Sequence, residues 1–96
     1  MAFALELAVD GRVMLWRSVD RRLMSVGRNP NCDLCIPDER VAPIQLLLAN
    51  DEGGLRLLNR HPNGTLVNGA KVERQPLKRG DEIQMGRLVI EVTLPE

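Results

Sequence analysis

The sequence predicts an all-β protein, a sandwich of two twisted, mostly antiparallel sheets with about nine to eleven short strands and little or no helix. Apolar residues alternate with polar ones along much of the chain, which is the period of a half-buried strand. Clusters of glycine, asparagine, aspartate and proline, which favour tight turns, interrupt these runs about every ten residues. No segment shows the apolar spacing of an amphipathic helix.

Two long strands are predicted at the start of the chain. The segment from Phe3 to Val9 alternates apolar residues with alanine and glutamate, which indicates a strand with one buried face. Asp10-Gly11 strongly favours a hairpin turn, so residues 12–19 should return as the second strand. A third strand is predicted over Leu23 to Val26 and ends at the turn Gly27-Arg28.

The middle of the chain predicts shorter strands. Leu34 to Ile36 form one, after which Pro37-Asp38 ends it. Alternating apolar residues predict a strand over 44–48, and the turn-rich segment 50–54 closes it. Residues 55–57 then pair back against that strand.

The next segments combine loops with very short strands. Residues 59–64 form a longer loop, followed by a strand at 66–67 and the tight turn Asn68-Gly69. Val72 and Leu77 should flank a connection that contains Pro76, because proline lacks the N–H that a sheet needs.

The end of the chain carries the clearest strand pattern. A turn at Lys78–Asp81 leads into a strand around 83–85. The final predicted strand runs from Leu88 to Leu94, where every second residue is a large apolar one. The length of 96 residues predicts a single domain over residues 1–96. Because the chain stops at Pro95-Glu96, just after this strand, we expect the domain to be a module of a longer protein.

Composition excludes several classes of partner. The chain has 13 basic and 13 acidic residues, one phenylalanine (Phe3), one tryptophan (Trp16) and no tyrosine. A balanced charge does not attract nucleic acid, and so few aromatic residues cannot stack bases. The short apolar start carries Glu6 and no basic region, and no apolar run is long enough to span a membrane. We therefore expect a cytoplasmic protein with no nucleic-acid partner and no direct membrane insertion.

The chain offers little for metal or catalytic chemistry. Cys32 and Cys35 form a lone C-x-x-C, which fits half a zinc site or a redox pair, but no second pair accompanies it and His61 is the only histidine. We interpret the two cysteines as free thiols and predict no metal and no cofactor. The only serines, Ser18 and Ser25, fall in or beside predicted strands, so no nucleophile and base pair is indicated and the chain is not expected to be an enzyme.

Four sets of turn motifs occur in a fixed order. They are Gly27-Arg28, Asp33-x-x-Ile36, Asn63-Gly64-Thr65-x-x-Asn68-Gly69 and Leu77-x-x-Gly80-Asp81-x-Ile83-x-x-Gly86. In this order and spacing the chain resembles the forkhead-associated (FHA) family, β-sandwich domains that read phosphothreonine with their apical loops. The resemblance implies structural turn roles for eight residues: Gly27, Gly64, Thr65, Asn68, Gly69, Gly80, Asp81 and Gly86.

Two residues match positions that contact the peptide in that family. The arginine after the first glycine helps to hold the phosphopeptide, and Arg28 occupies its place. The asparagine of the Asn-Gly-Thr turn bonds the peptide backbone beside the phosphothreonine, and Asn63 matches it. From the residues alone, Arg28 fits a loop brace equally well, and Asn63 fits a residue that only shapes the turn.

Other positions depart from the family pattern. Where the family reads Val-Ser-Arg-x-His, with a serine that meets the phosphate and a histidine that braces the loop, this chain reads Val41-Ala42-Pro43-Ile44-Gln45. The hydroxyl is absent and Pro43 also lacks a backbone N–H, although the Gln45 amide is able to brace the loop. Pro62 stands where the family usually carries serine or threonine, often as a second hydroxyl that contacts the phosphate.

Three cationic residues flank these loops, namely Arg40, Arg60 and His61. Guanidinium groups bind phosphate well, and histidine gains charge at mildly acidic pH, so these residues would offset part of the loss. The alternative is that they are ordinary solvated loop charges. The candidate residues for binding a peptide or partner are Arg28, Arg40, Ala42, Pro43, Arg60, His61 and Asn63.

Two functional hypotheses follow from the resemblance. The first is a non-catalytic module that no longer depends on phosphothreonine and binds a protein partner or another domain of its own chain. The alternative is retained but weak recognition of a phosphothreonine peptide in bacterial signalling or transcription regulation. A further setting is the cytoplasmic FHA-like domain of a type III secretion ring component.

Overall fold

The computed structural model describes residues 3–93, which form eleven strands and no helix. No segment of this described range is a helix able to cross a membrane. The strands are β1 (Phe3–Val9), β2 (Arg12–Val19), β3 (Leu23–Gly27), β4 (Leu34–Cys35), β5 (Leu46–Asp51), β6 (Gly54–Asn59), β7 (Thr65–Val67), β8 (Ala70–Val72), β9 (Arg74–Leu77), β10 (Glu82–Met85) and β11 (Leu88–Thr93).

The strands pair into two sheets. One sheet has the order β2-β1-β11-β10-β7-β8, and the other has the order β4-β3-β5-β6-β9. Only the pair of β3 and β4 is parallel among the strands of residues 3–93, and the other pairs are antiparallel. The predicted all-β sandwich of mostly antiparallel sheets is therefore confirmed.

The core lies between the sheets and follows the predicted alternation. In β11 every second side chain is buried, as at Ile90, while Glu91 is only half-buried. β1 follows this alternation less strictly, because Ala4 is buried together with Leu5, and Glu6 is half-buried. The facing sheet contributes residues such as Leu48. Packing of two such faces is the main source of stability in a domain of this size. Leu94, the last residue of the predicted final strand, lies outside the described residues.

Several bounds of the predicted strands are wrong: β4 ends at Cys35 rather than at Ile36, and β5 continues to Asp51. Pro76 lies inside β9 rather than in a connection, because β9 is an edge strand and needs no ladder bond from that residue on its open side. The fifth strand begins at Leu46 and not at residue 44, because Pro43 and Ile44 form a turn that leaves the Ile44 side chain 45% exposed.

Candidate functional site

Three loops meet at one end of the sandwich, which we call the apical end. They are residues 28–33 after β3, residues 36–45 before β5, and residues 60–64 between β6 and β7. The first two are joined by backbone hydrogen bonds, from Arg28 N to the Ala42 carbonyl oxygen at 2.9 Å and from Asn29 N to that of Pro43 at 3.1 Å.

Gly27 makes this close approach of the two loops possible. A β-carbon at Gly27 would lie 2.3 Å from the Pro43 carbonyl oxygen and 2.8 Å from the Ile44 α-carbon. Both contacts are with backbone atoms, which cannot move aside as a flexible side chain would. The requirement for glycine here is therefore one of space. At four other positions the reason is a positive φ angle, between 58° and 91°, which favours glycine: Gly64, Gly69, Gly80 and Gly86.

Gln45 links the second loop to the third. Its side chain is only 4% exposed. Its Oε1 accepts a hydrogen bond from Ala42 N at 3.0 Å, and its Nε2 donates to Thr65 Oγ1 at 3.0 Å. The Thr65 hydroxyl in turn donates to Asn59 Oδ1 at 2.7 Å. Such a buried and satisfied network holds both loops in one arrangement.

Asn59 braces the third loop, a role that was not predicted from the sequence. Its Nδ2 donates to the His61 carbonyl oxygen at 2.7 Å and to Glu73 Oε2 at 2.9 Å. Its Oδ1 also accepts from His61 N at 3.1 Å. The signal in the sequence is an asparagine two residues before His61, since asparagine side chains commonly bond a backbone group two residues further on.

His61 shapes the turn that carries Asn63. The Asn63 N–H donates to His61 Nδ1 at 3.0 Å, and Gly64 N donates to the His61 carbonyl oxygen at 3.0 Å. Nδ1 is therefore the unprotonated ring nitrogen in this arrangement. The Asn63 side chain is exposed at the tip of the loop and has no hydrogen bond within residues 3–93.

Arg28 is partly engaged by its own loops. Its Nε donates to the Val41 carbonyl oxygen at 3.0 Å, which orients the guanidinium group. No acceptor in the described part of the chain takes its two Nη groups, and the side chain is exposed. Arg28 thus braces the loops and still presents donors to a ligand.

Arg60 and His61 lie together, whereas the Arg40 side chain is paired with Asp38. Arg60 and His61 line a shallow depression of about 330 Å³ with Asn59, Pro62 and Glu73.

Arg40 forms a two-point ion pair with Asp38, with Nε to Oδ1 at 3.2 Å and Nη2 to Oδ2 at 3.0 Å. Its Nε also lies 3.1 Å from the place that a β-carbon at Gly86 would take. The hydrogen bonds from the Arg40 side chain and backbone lower the pKa of Asp38. Because Asp38 already neutralises this guanidinium, Arg40 is a poor candidate for binding phosphate.

The tip of the second loop, Ala42-Pro43, offers no hydrogen-bond donor. Ala42 has only a methyl side chain, and its N–H is bonded to Gln45. Pro43 has no N–H at all. Its carbonyl oxygen accepts from Asn29 N and from Cys32 Sγ at 3.3 Å, so the polar atoms of the tip serve the fold.

The two cysteines are free thiols, as predicted, and both lie near these loops. Cys32 Sγ contacts the Pro43 carbonyl oxygen, and Cys35 Sγ lies 3.5 Å from that of Arg28. Across residues 3–93, no group of three potential metal ligands comes together.

Two aspartates of the motif set, Asp33 and Asp81, accept hydrogen bonds within the fold and are not at the positions that match peptide contacts. Asp33 accepts bonds from the Ser25 N–H at 2.8 Å and hydroxyl at 3.2 Å, and these bonds lower its pKa. At the opposite end, Asp81 accepts from Asn68 Nδ2 at 3.0 Å and from Lys78 N at 2.8 Å. Burial by itself would raise the pKa of Asp81, but these hydrogen bonds and the Lys78 charge lower it overall.

The motifs that carry the resemblance therefore lie in the loops and turns between the strands and in the adjoining strand ends, as predicted for an FHA-like sandwich. A family model described as the FHA domain matches residues 24–86. The chain belongs to the FHA family. This confirms the predicted family, and FHA domains are non-catalytic, phosphopeptide-binding modules of protein interaction.

Several known proteins are similar to this FHA domain. The serine/threonine-protein kinase RAD53 of Saccharomyces cerevisiae is 40% identical over 72 residues, which are 69% of this chain and 9% of the kinase. The match thus covers only the FHA part of that kinase.

Two solved structures extend the likeness. One FHA domain, from a structural and functional analysis of phosphothreonine-dependent FHA domain interactions, is 26% identical with a TM-score of 0.83, over 100% of this chain and 99% of that one. The FhaA FHA domain, solved in complex with the intracellular domain of Rv3910, is 28% identical with a TM-score of 0.79, over 94% and 98% of the two chains.

Proposed function

We propose that this FHA domain binds an extended segment of a protein partner, or of another domain of its own chain, at the apical loops without depending on phosphothreonine. The observation that carries this proposal is the tip at Ala42 and Pro43. The family pattern implies a serine hydroxyl and an arginine there, whereas this tip has no side-chain donor and no N–H left for a ligand.

The size of the loss supports this reading. A hydrogen bond to a charged group contributes about 1.5–3 kcal/mol. The absence of two such bonds, one at Ala42 and one at Pro62, removes about 3–6 kcal/mol, or about two to four decades in dissociation constant. A phosphothreonine site of about micromolar affinity would then bind at about millimolar or weaker.

The remaining groups suit the backbone of a peptide. The Nη groups of Arg28 and the side-chain amide of Asn63 are exposed donors, and Asn63 also offers an acceptor. Both sit on loops braced by Gln45, Thr65 and Asn59. A braced loop loses little conformational freedom when it binds, which favours recognition of an unmodified peptide.

Chemical-shift mapping tests this proposal. Libraries of phosphothreonine peptides and of the same sequences without phosphate are titrated into the ¹⁵N-labelled domain and into Arg28→Ala. We expect the same Arg28 and Asn63 signals to move with either form, at similar concentrations. Micromolar binding of the phosphorylated library, lost on dephosphorylation and in Arg28→Ala, would overturn the proposal.

A second candidate function is weak recognition of phosphothreonine, and it is favoured by the exposed guanidinium of Arg28 together with Arg60 and His61. Under this alternative Arg60→Ala should weaken binding of the phosphorylated library and leave the unphosphorylated one unchanged. Arg56→Ala is a matched control, because that exposed arginine pairs with Asp51 and not with the apical loops.

A further inference from the structure

One edge of the larger sheet is apolar and open to solvent. Among the strands of residues 3–93, β2 is the outermost strand of that sheet and pairs only with β1. Four consecutive residues of β2 are exposed: Val13 by 52%, Met14 by 63%, Leu15 by 40% and Trp16 by 52%. Large exposed apolar groups that adjoin one another mark interaction sites, and tryptophan is among the residues that contribute most to interfaces.

The other sheet edges are protected in ways that β2 is not. β4 has two residues, β8 has three and includes Lys71, and β9 contains Pro76 beside Arg74. Shortness, charge and proline are the usual defences of an edge strand against pairing with another chain.

By contrast, β2 has eight residues with neither proline nor lysine. Its defences are two arginines, Arg12 and Arg17, and a bulge at Met14, where the register with β1 shifts. The residues Leu15–Val19 after the bulge pair regularly.

The charges of β2 indicate which occupant this edge suits. Arg12 and Arg17 stand on either side of the four apolar residues. An antiparallel second copy that matched these four residues with their own counterparts would place Arg12 opposite Arg17 at both ends, and like charges directly opposite destabilise a strand pair.

Carboxylates at those positions would instead be attracted. Within residues 3–93 Arg12 has no ion-pair partner, and Arg17 donates only to the Asp33 carbonyl oxygen at 3.2 Å.

We propose that β2 is a second docking surface of this domain, and that its occupant is an extended segment of a different protein with an apolar centre and acidic residues on both sides. The segment would add a strand to the sheet beyond β2. Its main-chain hydrogen bonds to β2 would supply affinity, and the two arginines would select segments with acidic residues. The nearest carboxylate in the strand register is that of Glu6, which lies opposite Trp16 on β1. It is about two strand spacings from the added strand, so it does not lie directly opposite the acidic residues of the partner. The surface shares no residue with the apical loops.

Trp16 provides a direct readout, because it is the only tryptophan of the chain. Two unphosphorylated synthetic peptides share the core Thr-Ile-Thr-Val, one between pairs of glutamates and the other between pairs of lysines. Each is titrated into the domain while tryptophan emission is recorded, and amide shifts are mapped on the ¹⁵N-labelled chain.

We expect the glutamate peptide to shift the emission to shorter wavelength, to move β2 amides and to bind at least about tenfold more tightly than the lysine peptide. Arg12→Glu should bring the two affinities close together, because only Arg17 is then left to attract the glutamates, and the double variant Arg12→Glu, Arg17→Glu should reverse the order. Trp16→Lys should abolish the β2 amide shifts without unfolding the domain, because position 16 is exposed and a lysine there faces Glu6. Arg28→Ala should change nothing, which separates this surface from the apical site.

Each of the following results would overturn the proposal. The first is the absence of β2 shifts with the glutamate peptide at millimolar concentration. The second is equal binding of the two peptides by the wild-type domain, or shifts confined to the apical loops. The third is a dimer in sedimentation equilibrium that Trp16→Lys dissociates, since this would make a second copy the occupant.

Discussion

At the scale of single residues, Gln45 explains how the apical end keeps its shape although the loop sequence departs from the family pattern. The resemblance implies a bracing histidine at this place, and the buried Gln45 amide braces the loop by joining Ala42 N to Thr65 Oγ1. The same bond to Ala42 removes a donor that a ligand would otherwise meet. One side chain therefore preserves the loop and leaves its tip without donors.

Gln45→Ala should destabilise the domain, because it leaves the Ala42 N–H without its acceptor in a part-buried place and takes a donor from the Thr65 hydroxyl. Each lost partner of a buried group costs about 1–3 kcal/mol. Urea unfolding measures the effect, and Gln84→Ala on an exposed position of β10 is the control. An equal change in the free energy of unfolding for both variants would contradict the bracing role.

The double variant Ala42→Ser, Pro43→Arg should gain affinity for phosphothreonine peptides. It returns a hydroxyl and a guanidinium to the tip, and one hydrogen bond to a charged group is equivalent to about tenfold or more in dissociation constant. Calorimetry with a phosphorylated peptide and its unphosphorylated form measures the gain. An equal gain for both forms would show that the tip does not face the phosphate.

At the scale of elements, the end opposite the apical loops is held by two turns that bond each other. Asn68 of the β7–β8 turn donates to Asp81 of the β9–β10 turn, and Asn68 Oδ1 accepts from Glu82 N at 3.0 Å. Asp81 also accepts from Lys78 N. The Asn-Gly and Gly-Asp motifs thus act as a clasp between strands, whereas Arg28 and Asn63 are at the other end.

The clasp should make the free energy of unfolding depend on pH in the acidic range, through the ionisation of Asp81. The folded-state pKa of Asp81 is lowered below the model-peptide value of 3.8, so its contribution is present above about pH 4 and is lost as the pH falls through the lower folded value. Asp81→Asn should be less stable than wild type at pH 7, and the gap should narrow below pH 4. Thermal melts across this range provide the measurement, and a gap independent of pH would contradict the assignment.

At the scale of the whole molecule, alternation and turn residues were enough to predict the sandwich, because they report which face of each strand is buried. They did not show which strands lie at the edges. Pro76 in β9 and the exposed run in β2 are consequences of strand order, which depends on pairings between distant segments.

The candidate site was predictable only in part. The sequence indicated that Gln45 could brace its loop, but it did not reveal that Asp38 pairs with Arg40 or that Asn59 supports His61. These contacts depend on the conformation of the loops, which cannot be derived from the residue types alone.

The most direct test of the central claim compares one peptide with and without its threonine phosphate. The peptide is chosen for binding at the apical loops, and the ratio of its two dissociation constants is measured by calorimetry at fixed salt. We expect a ratio within about a few-fold of one, because the tip at Ala42 and Pro43 offers the phosphate no donor. A preference of about a hundredfold or more for the phosphorylated form, abolished by Arg28→Ala, would contradict the account.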